Sequence, residues 1–398
     1  MIKFDFETYA TPFLNPEEYR NLLSQKEYYR NKLHESQMIG WTRNIDPNLV
    51  EKIKKVANII KNQYDCLVVI GIGGSFLGSY AFHKMFQRYF QDNSFEIIYA
   101  GTTLSAEYLD ELLAYLNTKN FCVNVISKSG TTMETSITYQ VIKDLLKRKF
   151  GEEELKNHII ITTDLEKGKL REEVKEKNYV SFEIPEDIGG RYSFMTPAHL
   201  LPLAINYDLD KIIDGYFDGK RLIDQAYEYA VIRRLLFNQG KVVENYCVYE
   251  EKLSAFTEWL KQLFGETEGK NGKGIFPTSS IHTRDLHSLG QFIQDGNKII
   301  FETFLKIENN NHYIEYKGKN LQEINNLVED SVMRAHFSGK VPCLEICLDH
   351  LEIETVASLI YFFQLSAAFS GLLFDVDPFN QPGVEIYKKE VRESLGEI

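Results

Sequence analysis

The sequence predicts an α/β protein with two doubly wound parallel-sheet domains and helical arms at both ends. Three observations carry this. First, CLVVIGIGG (66–74), FEIIYAG (95–101), FCVNVISKSG (121–130) and HIIITT (158–163) open on apolar runs that do not alternate, as strands buried on both faces do not. Second, helix-forming stretches separate them, the connection that parallel strands require. Third, the pattern restarts after a helix-rich connector at about 197–238. A length of 398 residues allows two to three domains at ~150 residues each.

In chain order, residues 16–37 are polar and helix-forming with Pro16 near the start, and a helix is expected over 48–61. The strand at 66 runs into a glycine loop and a helix over 76–90. The strand 95–101, a helix over 105–116, the strand opening at 121 and a helix from 132 to about 149 follow. HIIITT and YVSFEI (179–184) are strands with a charged helix between them. In the second half NYCVYEEK, GIFPTSS, KIIFETFLKIE and VPCLEICLD read as strands, and 253–264 as a helix. The uncharged run 357–374 sits at the lower length limit of a membrane span. Its interior Ser358, Gln364, Ser366 and Ser370, its acidic flanks and the absence of a basic flank point instead to a helix buried on all sides. The expected boundaries are an N-terminal arm at 1–45, domains at 46–205 and 206–376, and a C-terminal arm at 377–398.

Composition bounds the function. Lys+Arg number 45 against 57 Asp+Glu, a formal charge of −12. Such a chain is a poor general binder of nucleic acid, yet it can keep a small cationic pocket for a phosphorylated metabolite. Hydrophobics at 43% and charges at 26% argue against disorder. The five cysteines are scattered in apolar runs, which reads as free thiols in a reducing compartment. Cys343 and Cys347 lack the companion pair of a zinc site. MIKFDFETYATPFLNPEEY lacks the basic start and apolar core of a signal peptide, so a cytoplasmic location is expected.

Six stretches could carry chemistry. Gly71-Ile72-Gly73-Gly74-Ser75-Phe76-Leu77-Gly78 joins a strand to a helix, where backbone amides can approach an anion. It fails as a dinucleotide fingerprint at Phe76 and as a Walker loop at Ser79, which disfavours NAD-dependent oxidoreduction. Ser127-Lys128-Ser129-Gly130-Thr131-Thr132 packs four hydroxyls and a cation beside a helix start. A helix cap needs one hydroxyl; four favour a phosphate. Gly189-Gly190-Arg191 allows an unusual backbone path before a fixed cation. In Gln262-Leu263-Phe264-Gly265-Glu266-Thr267-Glu268, two acids two apart cannot share a helix face, so one is expected as a base and the other as solvated. His287 opens a helix and can move protons near neutrality, with His282 just before it. Gln381 and Lys388 lie in FNQPGVEIYK, where Lys388 is either a snorkelling surface group or a site cation.

Taken jointly, these stretches resemble the glucose-6-phosphate isomerase (phosphoglucose isomerase) family of bacterial type. GIGGS, SKSGTT, DIGGRYSFMTPAHL, GETEGK, DLHSLGQ and FNQPGVEIYK occur in that order from about 71 to 388. The resemblance implies two sugar-isomerase domains and an aldose–ketose isomerase that interconverts glucose 6-phosphate and fructose 6-phosphate through an enediol. It implies no metal and no organic cofactor. By motif, Glu266 would be the base, Arg191 would stabilise the enediolate, and His287 with Lys388 would open the ring. Ser127, Lys128, Ser129 and Thr132 would hold the phosphate; Gly74, Ser75, Gln262 and Gln381 would frame the sugar. The family's equivalent histidine reaches the site from the partner subunit, which implies a homodimer. Two alternatives stay open at this point: an isomerase that also accepts mannose 6-phosphate, and a non-catalytic sugar-phosphate-binding protein. Neither nucleic acid nor a membrane is an expected partner.

Overall fold

The computed structural model describes residues 1–90 and 94–396. Residues 91–93, inside the expected first domain, and 397–398, at the end of the expected C-terminal arm, lie outside the described residues. The chain forms two compact units, Gln37–Ile212 and a second built from Met1–Ser36 with Ile213–Ile398.

The unit 37–212 is built on a five-stranded parallel sheet. Its order is Glu96–Ala100, Cys66–Ile70, Phe121–Ile126, Ile159–Thr163 and Val180–Glu183. Residues 66–70, 121–126 and 159–163 are buried throughout, which is why their apolar runs are continuous. Val68, Ile70, Val123, Val125 and Ile161 pack with Leu116, Ile142 and Leu146 of the helices Ala106–Asn117 and Met133–Phe150. The helix Pro47–Gln63 starts on Asp46, whose carboxylate accepts the Asn48 N–H, with proline in the first turn. It buries Val50, Ile53, Ala57 and Ile60 at helical spacing and packs on the helix Pro197–Asn206. Chain order reverses between the strands Cys66–Ile70 and Phe121–Ile126, so their carboxyl ends flank the crevice where open α/β sheets bind ligands.

The other unit repeats the winding with one addition. Its sheet runs Ile2–Asp5, Cys343–Leu348, Ile300–Ile307, Val243–Val248 and Phe276–Ile281. The last four are parallel, and Ile2–Asp5 adds an antiparallel edge, Ile2 pairing with Leu348. The start of the chain therefore supplies a strand as well as helices, Pro16–Ser24 and Lys26–His34, which meet at Gln25. A helix at Leu321–Ser338 is set by a capping box between Asn320 and Glu323. The uncharged run lies in the helix Ile353–Leu373, buried at every residue from Thr355 to Leu373. All five cysteines are free and buried.

A charged knot sits in this unit. Arg233, on the helix Ile223–Asn238, is fully buried and paired with Glu244 at 2.8 Å and with Glu268. Its guanidinium also donates to Ser370 Oγ at 2.7 Å and lies 4.1 Å over the Phe264 ring. Tyr229 and Tyr246 donate to the Glu244 carboxylate. Removing one partner of such a pair strands a buried charge, at a cost of about 3–5 kcal/mol. Glu268→Ala is therefore expected to lower unfolding stability by about that amount in urea titrations; a loss below about 1 kcal/mol, the level of a surface pair, contradicts the knot.

Candidate active site

In the unit 37–212, both loops flagged by their composition follow the two strands that flank the crevice. The loop 71–78 leaves the strand Cys66–Ile70 through a 3-10 turn, Gly73–Ser75, and enters the helix Leu77–Phe86. The loop 127–132 leaves Phe121–Ile126 and enters Met133–Phe150. Ser127 is buried; its N–H donates to the Thr162 carbonyl at 3.1 Å and its Oγ accepts the Gly130 N–H at 3.0 Å. Gly130 has φ of +68°, which turns the loop back toward the helix. Thr132 is the helix cap, yet its hydroxyl makes no capping bond and lies 3.4 Å from Ser127 Oγ. Ser129 is exposed and its Oγ accepts both the N–H (3.2 Å) and the hydroxyl (3.0 Å) of Thr131. The hydroxyls thus gather on one another at a helix N-terminus, an arrangement suited to a dianion.

Lys128 points differently from what its neighbours suggest. Its ammonium donates to the carbonyls of Glu186 (2.9 Å), Pro185 (3.2 Å) and Ile188 (3.4 Å). Burial pulls its pKa down, while Asp164 and Glu186 pull it up. It ties the loop 127–132 to the segment that leads into Gly189-Gly190-Arg191. That segment forms a 3-10 turn, Gly190–Met195, with Arg191 only 1% exposed. Where the turn meets the glycine loop at Gly190, backbone touches backbone: a Cβ on Gly74 would lie 2.2 Å from the Gly190 carbonyl carbon. The glycine loop, the hydroxyl loop and the arginine turn are thus tied together in this unit, with glycine required at position 74.

The remaining residues lie on helices of the other unit. Gln262 and Glu266 share a face of Ser254–Glu268, four apart, with Gln262 Nε2 donating to Glu266 Oε1 at 3.2 Å. Glu266 is half-buried, neither locked in the core nor fully in solvent. Its companion overturns one expectation. Glu268 is not solvated but fully buried on Arg233, because two residues along a helix turn the side chain to the core-facing side. His287 is exposed on the first turn of Leu286–Asp295. Gln381 caps Pro382–Leu395, and Lys388 of that helix pairs with Glu385 at 2.9 Å. His282 is buried, its pKa lowered by burial, with Nε2 3.0 Å from Ser280 Oγ.

Among the described residues, the donor set nearest a metal-binding arrangement is Cys247, His282 and Glu302, all buried, with ligand atoms within 4.8 Å of one another. Sequence reading missed it because the three lie on different strands and their ends. These donors serve each other: the Cys247 thiol donates to Glu302 Oε1 at 3.2 Å, and His336 holds the other oxygen at 2.6 Å. Burial pushes the thiol pKa well up, so a proton on sulfur fits the network.

Comparison with known proteins decides the family. The family model for phosphoglucose isomerase matches residues 49–397. The chain belongs to the phosphoglucose isomerase family. A glucose-6-phosphate isomerase of Mycoplasma capricolum is 43% identical over 88% of this chain and 87% of its own. One from Clostridium tetani is 38% identical over 97% and 94%. A solved hypothetical protein of Thermus thermophilus superposes with a TM-score of 0.87 at 26% identity, covering 99% of this chain and 100% of its own. A glucose-6-phosphate isomerase of Chlamydia trachomatis shares the fold, with a TM-score of 0.84 at 19% identity over 99% and 88% of the two chains.

One histidine lies inside the motif DIGGRYSFMTPAHL but has no role of its own in the sequence reading. His199 on Pro197–Asn206 is buried, and its Nε2 lies 2.8 Å from the Gly74 carbonyl. Burial lowers its pKa from 6.5 to about 4, against that hydrogen bond, which raises it. The unfolded chain thus takes up a proton in a range where the folded chain does not. The stability tied to this group is full above about 6.5 and is lost as pH falls through about 4. Urea midpoints for the parent and His199→Gln, compared between pH 7.5 and 5, should show a shallower acid loss in the variant; equal slopes would contradict the burial of a neutral imidazole.

Proposed function

We infer that this chain is an aldose–ketose isomerase acting on a hexose 6-phosphate, interconverting glucose 6-phosphate and fructose 6-phosphate. What carries the reading is the near full-length match to relatives named glucose-6-phosphate isomerase. The hydroxyl loop at the switch-point crevice supports it independently, since a remote phosphate needs such donors.

The site assignment follows the chemistry. Ser127, Ser129 and Thr132 hold the phosphate with their hydroxyls and the helix amides, and Lys128 fixes their loop while adding positive field. Gly74, Ser75, Gln262 and Gln381 frame the sugar. Anchoring the phosphate lets remote binding energy position the reacting carbons. His287 and Lys388 open the ring, one proton reaching the ring oxygen and another leaving the O1 hydroxyl. Glu266 takes the proton from C2, the electron pair becomes the C1–C2 double bond, and negative charge appears on O1. Arg191, which cannot lose its proton, stabilises that enediolate. Return of the proton to C1, with the O2 proton passing to O1, yields the ketose, and no external oxidant or reductant is consumed. The working form is a homodimer in the cytoplasm, in which His287 reaches the site of the other copy.

A coupled assay on fructose 6-phosphate tests this. Glu266→Gln should lower kcat by about 10²–10⁴-fold while inorganic phosphate binding persists; undiminished turnover shows that another group is the base. Ser129→Asp should raise KM, because a like charge then faces the phosphate, and an unchanged KM moves the phosphate elsewhere. If His287 works across the interface, mixing inactive Glu266→Gln with inactive His287→Ala subunits should restore part of the activity; no recovery in verified mixed dimers rejects the exchange.

A further inference from the structure

We propose that Ser193 and His199 form a buried clamp on the Gly74 carbonyl, which holds the glycine loop against the Gly189–Arg191 turn and thereby positions Arg191 and Ser75. The proposal rests on the assignment of those two residues to the reaction above.

The loop 71–78 is shaped by its own backbone bonds, Ser75 N–H to the Ile72 carbonyl at 3.2 Å and Phe76 N–H to the Gly73 carbonyl at 3.0 Å. Gly74, however, meets Gly190 backbone to backbone and has no side chain with which to grip the turn. The side chains that tie loop to turn come from the segment after Arg191. Ser193 Oγ lies 2.9 Å from the Gly74 carbonyl and 2.6 Å from the Gly190 carbonyl, so one hydroxyl spans loop and turn. His199 Nε2 lies 2.8 Å from the Gly74 carbonyl and 3.1 Å from Ser193 Oγ.

The protonation pattern follows from the partners. The Ser79 backbone N–H can only donate, and it lies 3.0 Å from His199 Nδ1. Nδ1 must therefore be bare, and the single ring proton sits on Nε2, facing the Gly74 carbonyl. The imidazole accepts from the start of the helix Leu77–Phe86 and donates to the loop that precedes it. Nor can the ring turn away. It stacks on Phe194 at 6.1 Å, and a Cβ on Gly78 would lie 3.1 Å from it. Ser193 and His199 are 3% and 2% exposed, so water does not compete for these bonds.

Arg191 adjoins Gly190, and Ser75 adjoins Gly74. A shift of the glycine loop off the turn moves both relative to each other without removing either. Misplacement on this scale is felt in turnover more than in the grip on a remote phosphate. Ser193 and His199 are positioning residues because neither is assigned a contact with the reacting atoms.

Two substitutions at one position separate a clamp from mere packing. His199→Asn keeps an acceptor where Nδ1 stands but has no donor at Nε2. His199→Gln places an amide donor where Nε2 stands. His199→Asn and Ser193→Ala are expected to lower kcat about tenfold, the effect of one lost hydrogen bond, with inorganic phosphate affinity within about twofold of the parent. His199→Gln should keep most of kcat even where its melting temperature drops. Parent-level kcat in folded His199→Asn, or equal losses in the Asn and Gln variants, overturns the clamp. If His199→Asn does not fold, Ser193→Ala decides, and parent-level kcat there overturns it. Glu266→Gln in the same assay keeps the two readings apart. Full turnover by that variant overturns the catalytic assignment, whereas its inactivity beside an unimpaired His199→Asn overturns the clamp alone.

Discussion

The contact on which the unit 37–212 arranges its functional groups is the meeting of two bare backbones, Gly74 against Gly190. No side chain fits at position 74, so the glycine loop can approach the arginine turn this closely only with glycine there. Everything nearby serves that approach. Lys128 draws the hydroxyl loop toward the same turn from the other side, through the carbonyls of residues 185, 186 and 188. Trp41 stacks on Tyr192 at 5.3 Å, backing the turn from behind. At position 74 a side chain would strike the Gly190 carbonyl, which explains the glycine of GIGGS there, whereas a Cβ on Gly190 would meet only the Gly74 Cα at 3.7 Å.

A different constraint governs the helix that carries Glu266. Arg233 with Glu244 and Glu268 occupies the interior beneath it and fixes the helix's rotation about its own axis. Because Glu268 is committed to the core, Glu266 is turned by about 200° around the helix, away from it. The sequence places two similar acids within three residues. Burial makes one a strut and leaves the other able to meet a substrate. Charge inside the protein here acts as an alignment key whose desolvation is offset by the surrounding tyrosines and Ser370.

The central strands were legible because residues 66–70, 121–126 and 159–163 are buried on both faces and write that fact as unbroken apolar runs. The strand Ile2–Asp5 was not, since an edge of four residues in a polar neighbourhood carries no such run. The helix Leu321–Ser338 was missed for the related reason that only a few of its residues are buried. Motif order revealed the family, and residue composition the hydroxyl loop. It did not reveal that Lys128 turns onto residues 185–188, or that Glu268 meets Arg233, because those partners lie far along the chain. His199 stands in the motif DIGGRYSFMTPAHL but was given no role, since its partners Gly74 and Ser79 lie more than a hundred residues earlier. A histidine there, just after a glycine–arginine turn, was a signal, since a buried imidazole must satisfy two nitrogens.

The edge strand Ile2–Asp5 has a temporal meaning. Its partner, Cys343–Leu348, is made more than three hundred residues later, whereas the unit 37–212 is continuous in the chain. During synthesis the inner unit can complete itself while the opening segment waits, its apolar face unpaired, until the last strands emerge. Assembly of this edge is therefore ordered like a clasp that closes only when the final link arrives, because an edge strand gains its hydrogen bonds only once its distant partner exists.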